Sequence, residues 1–581
     1  MKKVILCVLI FSLLFSLFSL EGCKKTIITE NPVVQEFTYN IAAEPQFLDP
    51  GKATGIPEFT VLLNLFDGLT RYDLNNKIVP SVSINWDIDS TNTKYIFNLR
   101  KDIKWSNGDP LTANDFEFAW KRALSPELAS EYAYQLYYIK NGKDFNTVVP
   151  IENQSEFSME NKYFYPKRDE NERIILDANT QQPIADETKP FDLNTIGIKA
   201  LDDNTLEVNL ESPTPYFLSL LTFTTYLPVN KKIVEANPDW AKSVDNFVSN
   251  GPFVIKEWTP QDKIIVEKNA NYWDESKVNI NKITFTMVTN GTTELAMFET
   301  GQIDFAVNPP PVEFDWLKKQ NKLKIEPYIG TYYYSFNTSK PPFDNQKVRR
   351  ALTLAIDRKS IVENITKGEQ KAALGYVPYG IKDSTSDKEF RDVGGEFYTD
   401  NNYLEAKTLL AEAGYPDGKG FPKFILLYNT SEVHQAIAQA IQQMWKERLG
   451  INCELTNQEW QVYLSNRSKL NYDVARAGWI GDYADPNTFL DMFISESGNN
   501  DTGWKNENYD ELINKAKSQN DIWLRMTMLH EAENILMNDL PIMPIYFYTR
   551  PMLVKPWLVD YIASSLGYTD FKWAYVDNTK K

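Results

Sequence analysis

The chain has 581 residues, enough for roughly three to four domains, and a formal net charge of −17 with acidic and basic residues mixed along its length. That balance excludes general nucleic-acid binding, which needs a basic face. Two histidines, His434 and His530, leave few ways to build a histidine metal site or a Ser-His-Asp triad.

Lys2 and Lys3 precede an apolar and serine run from Val4 to Leu20, which predicts a secretory signal over residues 1–22. The tetrad Leu20-Glu21-Gly22-Cys23 resembles the lipobox of bacterial lipoproteins, which implies cleavage before Cys23 and a lipid on its sulfur. The alternative is a plain signal with an incidental Cys23. Once the signal is gone only Cys23 and Cys453 remain, so a disulfide would consume the lipid site and packing alone must hold the fold. Residues 23–36 read as a polar spacer. No later segment approaches 18 continuous apolar residues, so the exported body is expected to be tethered to a membrane rather than embedded in it.

A strand is expected at Phe37–Ala42, followed by a loop, EPQFLDPGKATGIP, that runs into a helix. Tyr95–Leu99 alternate as a strand, Ser106–Pro110 form a turn, and Thr112 with Asp115 opens a helix in capping-box style. The stretch from Asn141 to Asp192 is polar and proline-containing and reads as an irregular insertion. Two strands around Asp202-Asp203-Asn204 follow, then the hairpin SNGPFVIKEWTPQDKIIVEKNANYWD and a helix at Thr292–Thr300. Beyond Pro311 the pattern shifts to α/β alternation. KIEPYIGTYYYSFNTS predicts a strand, FDNQKVRRALTLAIDRKSIVENI one long helix, and NNYLEAKTLLAEAGYP a helix stopped by Gly414 and Pro416. A strand at Lys423–Tyr428 leads to a helix from Asn429 to Leu449, capped by Asn429 with Glu432 and burying Ile437, Ile441 and Met444. The chain closes on a helix around MLHEAENILM and an apolar strand.

Catalytic motifs fail one after another. His530-Glu531 opens a zinc-protease pattern, but Asn534 stands where the second histidine belongs, GYPDGKG lacks the spacing and hydroxyl of a phosphate loop, and no G-x-S-x-G elbow occurs. Paired carboxylates for sugar hydrolysis stay open. The most informative stretch is Asp473–Pro486, DVARAGWIGDYADP: a strand carrying Arg476, then a glycine-rich turn that sets Asp482 beside Trp479. A carboxylate flanked by an aromatic face and lacking a nucleophile partner suits an ammonium ligand. A turn-capping aspartate is the duller reading.

Five segments, EPQFLDP, YIFNLRKDIKWSNGDPLTANDFEFAWKR, the pair NGPFVIKEW and NANYWD, FDNQKVRRALTLAIDR and DVARAGWIGDYADPNTFL, resemble the peptide-binding solute-binding proteins of bacterial ABC importers (family 5, cluster C), over about Phe37 to Tyr575. The resemblance implies an α/β, two-lobed periplasmic-binding-protein fold of type II with an extra third domain. Lobe I would comprise 37–66, 230–329 and 550–581, the extra domain 67–229, and the second lobe 330–549. It further implies that Asp482 meets a peptide's α-amino group, and that Gly478, Ile480 and Ile56 offer backbone groups. Trp479, Trp460 and Tyr333 would line side-chain pockets, and Arg476, Arg467 and His434 would meet the carboxyl end of peptides of different lengths. Taken alone, Arg476 reads as a surface partner of Asp473 or Glu459, His434 as a half-buried helix-start residue, and the tryptophans as core. Of Tyr332-Tyr333-Tyr334, alternation lets only one set line a cleft.

The expected function is capture of short peptides by a monomeric, lipid-anchored receptor, without catalysis, metal or cofactor, for delivery to an ABC permease and its ATPase subunits. The alternatives are the same scaffold holding another small solute (a dipeptide, a murein peptide, a metal chelate or a sugar) and a surface hydrolase built on carboxylates.

Overall fold

The structure is a computed structural model that describes residues 34–581 apart from 152–161, 170–173, 181, 215, 386 and 568. The signal and Cys23 lie outside the described residues. Gln35–Lys581 form one compact unit around an eleven-stranded mixed sheet.

The first strand of that sheet is β1 (Glu36–Asn40). The four-stranded sheet of the 67–229 region, described below, holds β2 (Ser83–Ile88), β3 (Lys94–Leu99), β4 (Ile198–Asp202) and β5 (Thr205–Asn209). The large sheet resumes with β6 (Phe253–Thr259), β7 (Lys263–Lys268), β8 (Lys282–Thr286) and β9 (Phe305–Ala306). Its centre is β10 (Leu323–Phe336), and its far end is β11 (Ile425–Asn429), β12 (Glu454–Gln458) and β13 (Val474–Ile480). The last long strand, β14 (Ile542–Val554), returns to the middle, giving the order β6-β7-β8-β1-β9-β14-β10-β13-β11-β12, with a short strand at Lys371–Ala372 also on β14.

Two strands of 14 and 13 residues, β10 and β14, therefore run antiparallel through the centre and join its two halves, β14 pairing with β9 and β10 with β13. Their aromatic and β-branched content suits a pleated, packed surface. Gly330 in β10 is required by close approach: a Cβ there would lie 2.3 Å from Ile480 Cδ1 and 2.8 Å from the Trp479 carbonyl oxygen. At the β1 end the core is aromatic, with Phe37 on Phe571 and Tyr39 on Phe305, both at 4.8 Å between ring centres.

The helices that position the site are α1 (Ile56–Leu65), α2 (Ala113–Leu124), α3 (Gly291–Glu299), α4 (Gln346–Leu354), α5 (Glu432–Leu449), α6 (Trp460–Ser468) and α7 (Ile522–Asp539). The capping box at Thr112 and Asp115 is present on α2. In the smaller sheet β2, β3, β5 and β4 lie side by side, with α2 packed on β4 and β5. Three short strands (Val149–Pro150, Tyr163–Pro166, Ala185–Pro190) form part of the segment expected to be irregular.

Two other expectations change. The long helix after Phe343 is broken: α4 stops at Leu354, Asp357 caps a new turn by accepting from Ser360 N at 2.9 Å, and Val362–Thr366 form a π-turn. The break lets the Arg358 guanidinium reach into the core, where it donates to the Pro544 carbonyl at 2.7 Å and pairs with Asp400 at 3.1 Å. The other change is at α5, which starts at Glu432 rather than Asn429, with Ser431 as its cap. Asn429 is the last residue of β11, and its side chain is taken by Arg476. The buried stripe of α5 holds Ile437, Ile441 and Trp445, and Met444 is only half-buried.

Candidate functional site

Strand alternation divides the residues around β13 between two faces. Antiparallel register sets Tyr334 opposite Arg476, Tyr332 opposite Gly478 and Gly330 opposite Ile480, while Tyr333 faces Ala477 and Thr331 faces Trp479. From the first set Arg476, Gly478 and Ile480 line a cavity of about 930 Å³, together with Ile56, His434 and Trp460 among others. Six of the ten expected peptide contacts thus share one cavity. Trp479, Tyr333, Arg467 and Asp482 lie outside its lining.

At the cavity wall Arg476 donates from Nη2 to the Tyr548 hydroxyl at 2.6 Å and from Nη1 to Asn429 Oδ1 at 3.3 Å, and its guanidinium stands 4.7 Å over the Tyr332 ring. It pairs with neither Asp473, which holds Lys340 at 2.8 Å, nor Glu459, which caps Gln461 N at 2.9 Å. Its Nε is buried and has no hydrogen-bond partner among the described residues. Gly478 makes this packing possible, because a Cβ at that position would fall 2.5 Å from the Tyr548 hydroxyl and 3.3 Å from Arg476 Nη2. His434 Nδ1 lies 3.3 Å from the Tyr332 hydroxyl. Burial, then the Arg476 charge, hold its pKa well below the ordinary value, so the ring is neutral at neutral pH.

Trp460 and Ile56 close the opposite side. Trp460 is the first residue of α6, stacked on Tyr463 at 5.9 Å, and its indole packs against Gly55, the cap of α1, where a Cβ would sit 2.9 Å away. Beside them the Glu58 carboxyl is fully buried and accepts from Gln46 N.

The other face of β13 meets the 67–229 region. Trp479 is 6% exposed and stacks on Tyr132 with 6.0 Å between centres. Asp482, 4% exposed, accepts from Gln135 Nε2 at 2.8 Å and from Thr488 Oγ1 at 3.4 Å. Burial and then the neighbouring Asp491 push its pKa well above the carboxylate range. An ammonium brought to such a group restores its charge and gains a charge-assisted hydrogen bond. Arg467 donates from Nε to Asp501 Oδ2 at 2.7 Å, an internal pair. Tyr333 is 1% exposed and packs edge-on against Tyr376.

The edge of β13 has a further property. Toward β11 it is paired only at Val474 and Ala475, so from Arg476 to Ile480 that edge has no strand partner among the described residues. The Arg476 carbonyl there accepts from the Tyr463 hydroxyl, and Gly478 and Ile480 offer backbone groups to an added strand, which is one established way of holding a peptide.

Several cavity residues escaped sequence reasoning: Tyr328, Tyr546, Tyr548, Arg550 and Glu432. The one available signal was the period of two in Tyr546, Tyr548 and Arg550, polar groups on one face of what otherwise reads as an apolar strand.

Residues 77–501 match the family model described as bacterial extracellular solute-binding proteins, family 5. The chain is 38% identical to the oligopeptide-binding protein OppA of Bacillus subtilis, over 92% of both chains. Among solved structures it resembles Haemophilus influenzae OppA in complex with RPPGFSPFR, at a TM-score of 0.80, 32% identity and coverage of 94% and 99%. The Escherichia coli murein tripeptide binding protein MppA gives 0.80 at 33% identity with the same coverage, whereas MppA in its unliganded open form gives 0.57 at 33% identity over 94% and 98%. The fold is the two-lobed type II arrangement, and its parts are disposed as in the former MppA structure rather than as in the open one.

Proposed function

Because the chain belongs to the bacterial extracellular solute-binding proteins of family 5, we propose that it captures oligopeptides outside the cytoplasm and passes them to an ABC permease. The observation that supports peptide capture most directly is the edge of β13 at Gly478 and Ile480, which has no strand partner among the described residues, opens on the cavity and ends two residues before Asp482. A peptide laid there as an added strand takes generic backbone bonds from Gly478 and Ile480, presents its amino group to Asp482 and directs its carboxyl end toward Arg476 and His434. Trp460 and Ile56 close over its side chains. Arg467, already paired with Asp501, acts in this reading through that pair. The lobes are 37–66, 230–329 and 550–581 on one side and 330–549 on the other, with 67–229 as the third domain, and the ligand stabilises the shut state because it touches both lobes. The protein is a monomer, held to the membrane by a lipid on Cys23, and catalyses no reaction.

Native mass spectrometry of the chain purified without refolding tests this directly. Short peptides riding on the protein are the expected result, and a non-peptide solute in their place overturns it. Metabolic labelling with radioactive palmitate tests the anchor: label present in the wild type and lost in Cys23→Ala is expected.

A further inference from the structure

Two guanidiniums line the cavity, and neither has a carboxylate within salt-bridge distance among the described residues. One is Arg476. The other, Arg550, lies two residues beyond Tyr548 on β14 and thus on the same face, about 7 Å further along the strand. Arg550 donates from Nη2 to Thr569 Oγ1 at 2.5 Å and from Nη1 to the Ser564 carbonyl at 3.5 Å, both neutral acceptors, which use two of its five N–H donors. Glu326 stands opposite it in the register of β10 yet forms no ion pair with it. The Arg550 guanidinium stands 5.8 Å from the centre of the Tyr328 ring, and that ring is 5.7 Å from that of Tyr548, which Arg476 bonds. The cavity's carboxylates are held elsewhere by uncharged donors: Glu44 by Trp258 Nε1 at 2.8 Å and Gln261 N at 2.6 Å, Glu432 by Asn290 at 2.7 Å, Glu459 by Gln461 N.

A guanidinium that is 8% exposed, faces a cavity and lacks an anionic partner is costly unless a ligand supplies the anion. We propose that Arg550 is a second carboxylate-accepting position of the cavity, two residues beyond the tyrosine that Arg476 bonds. This inference rests on the peptide reading above and deepens it: the chain selects peptides that place a carboxylate at Arg550. The carboxylate comes from the chain end of a longer peptide or from an Asp or Glu side chain, and the planar fork of the guanidinium receives either one.

The test is calorimetry on ligand-stripped wild type, Arg550→Gln and Arg476→Gln. The probes are alanine peptides of three to six residues with free or amidated carboxyl ends, and pentaalanine amides carrying one Glu or one Gln at each position. At one length or one position the wild type binds the acid at least tenfold tighter than its neutral twin. In Arg550→Gln that ratio falls toward one. Collapse of the free-against-amidated ratio assigns the site to the chain end, and collapse of the Glu-against-Gln ratio assigns it to a side chain. Arg550 also tethers the segment around Ser564 and Thr569, but any loss of stability weakens both twins equally and leaves the ratio untouched. Peptides that bind with the same ratios in Arg550→Gln as in the wild type overturn the inference alone. A wild type that binds none of the probes overturns the peptide reading and this inference together.

Discussion

Gln135 donates its side-chain amide to Asp482 at 2.8 Å across 347 residues of sequence. The bond joins the 67–229 region to the turn that follows β13, and it comes from a segment that also stacks Tyr132 on Trp479. Asp482 is thereby desolvated and oriented at the end of the unpaired strand edge.

Truncating one member of a desolvated charge pair costs about 2–5 kcal/mol. Asp482→Ala is therefore expected to weaken binding of peptides with a free amino end by about 30-fold or more. Acetylated peptides already lack the ammonium and should bind the wild type and the variant alike. Calorimetry with the two peptide forms decides the matter, and an equal loss for both would detach Asp482 from the amino end.

Gly478→Ala places a methyl group 2.5 Å from the Tyr548 hydroxyl. The fold should survive, because the obstacle is the tip of a side chain, but the Arg476–Tyr548 bond must be displaced. About a tenfold loss of peptide affinity is expected with thermal stability lowered by about 1–3 kcal/mol, the usual range for overpacking. Unchanged affinity would mean that the position of Tyr548 does not matter to the ligand.

Glu432, at the start of α5, accepts from Asn290 Nδ2 at 2.7 Å and from Thr292 N at 3.3 Å, capping the N-terminus of α3 from the far side of the cavity. A carboxylate there also meets the positive end of the helix dipole, an effect of about 0.3–1 kcal/mol at the surface. Glu432→Ala should weaken peptide binding about two- to fivefold, chiefly through faster release, without touching the ligand. Stopped-flow fluorescence that finds an unaltered release rate removes this contact from closure.

Burial pushes the Glu58 carboxyl from its ordinary 4.5 up to about 7. A carboxyl whose pKa is raised by folding contributes stability that is fully present below pH 4.5 and is lost as the pH rises toward 7. The loss is on the order of 3 kcal/mol. Glu58→Gln keeps the shape without the proton, so its melting temperature should fall less than that of the wild type between pH 4.5 and 7. Parallel melting curves for the two proteins across that window would assign the shift to something other than Glu58.

Local signals in the sequence reached a long way. The capping box at Thr112 and Asp115, the hairpin at β6 and β7 and the strand at Asp473–Ile480 follow from pattern and turn chemistry, and the alternation of Tyr332-Tyr333-Tyr334 implied two faces. Where reading by pattern failed, a distant partner had intervened. α4 ends early because Arg358 and Asp357 find better bonds in the core and at a new cap than along one helix. Asn429 belongs to β11 because Arg476 claims its side chain. The segment 141–192 contains strands that few apolar positions announce.

Residue type, spacing and resemblance were enough to set the family, the strand that carries Arg476 with the turn after it that carries Asp482, and the absence of the familiar catalytic motifs, since all of these are written within short windows. Only the tertiary structure separated the ten expected contacts into a cavity face and a face toward the 67–229 region, left part of one edge of β13 without a strand partner among the described residues, and brought Arg550 to the same cavity as Arg476. Those outcomes depend on register between strands more than a hundred residues apart, where a slip of one position sends every side chain to the opposite face.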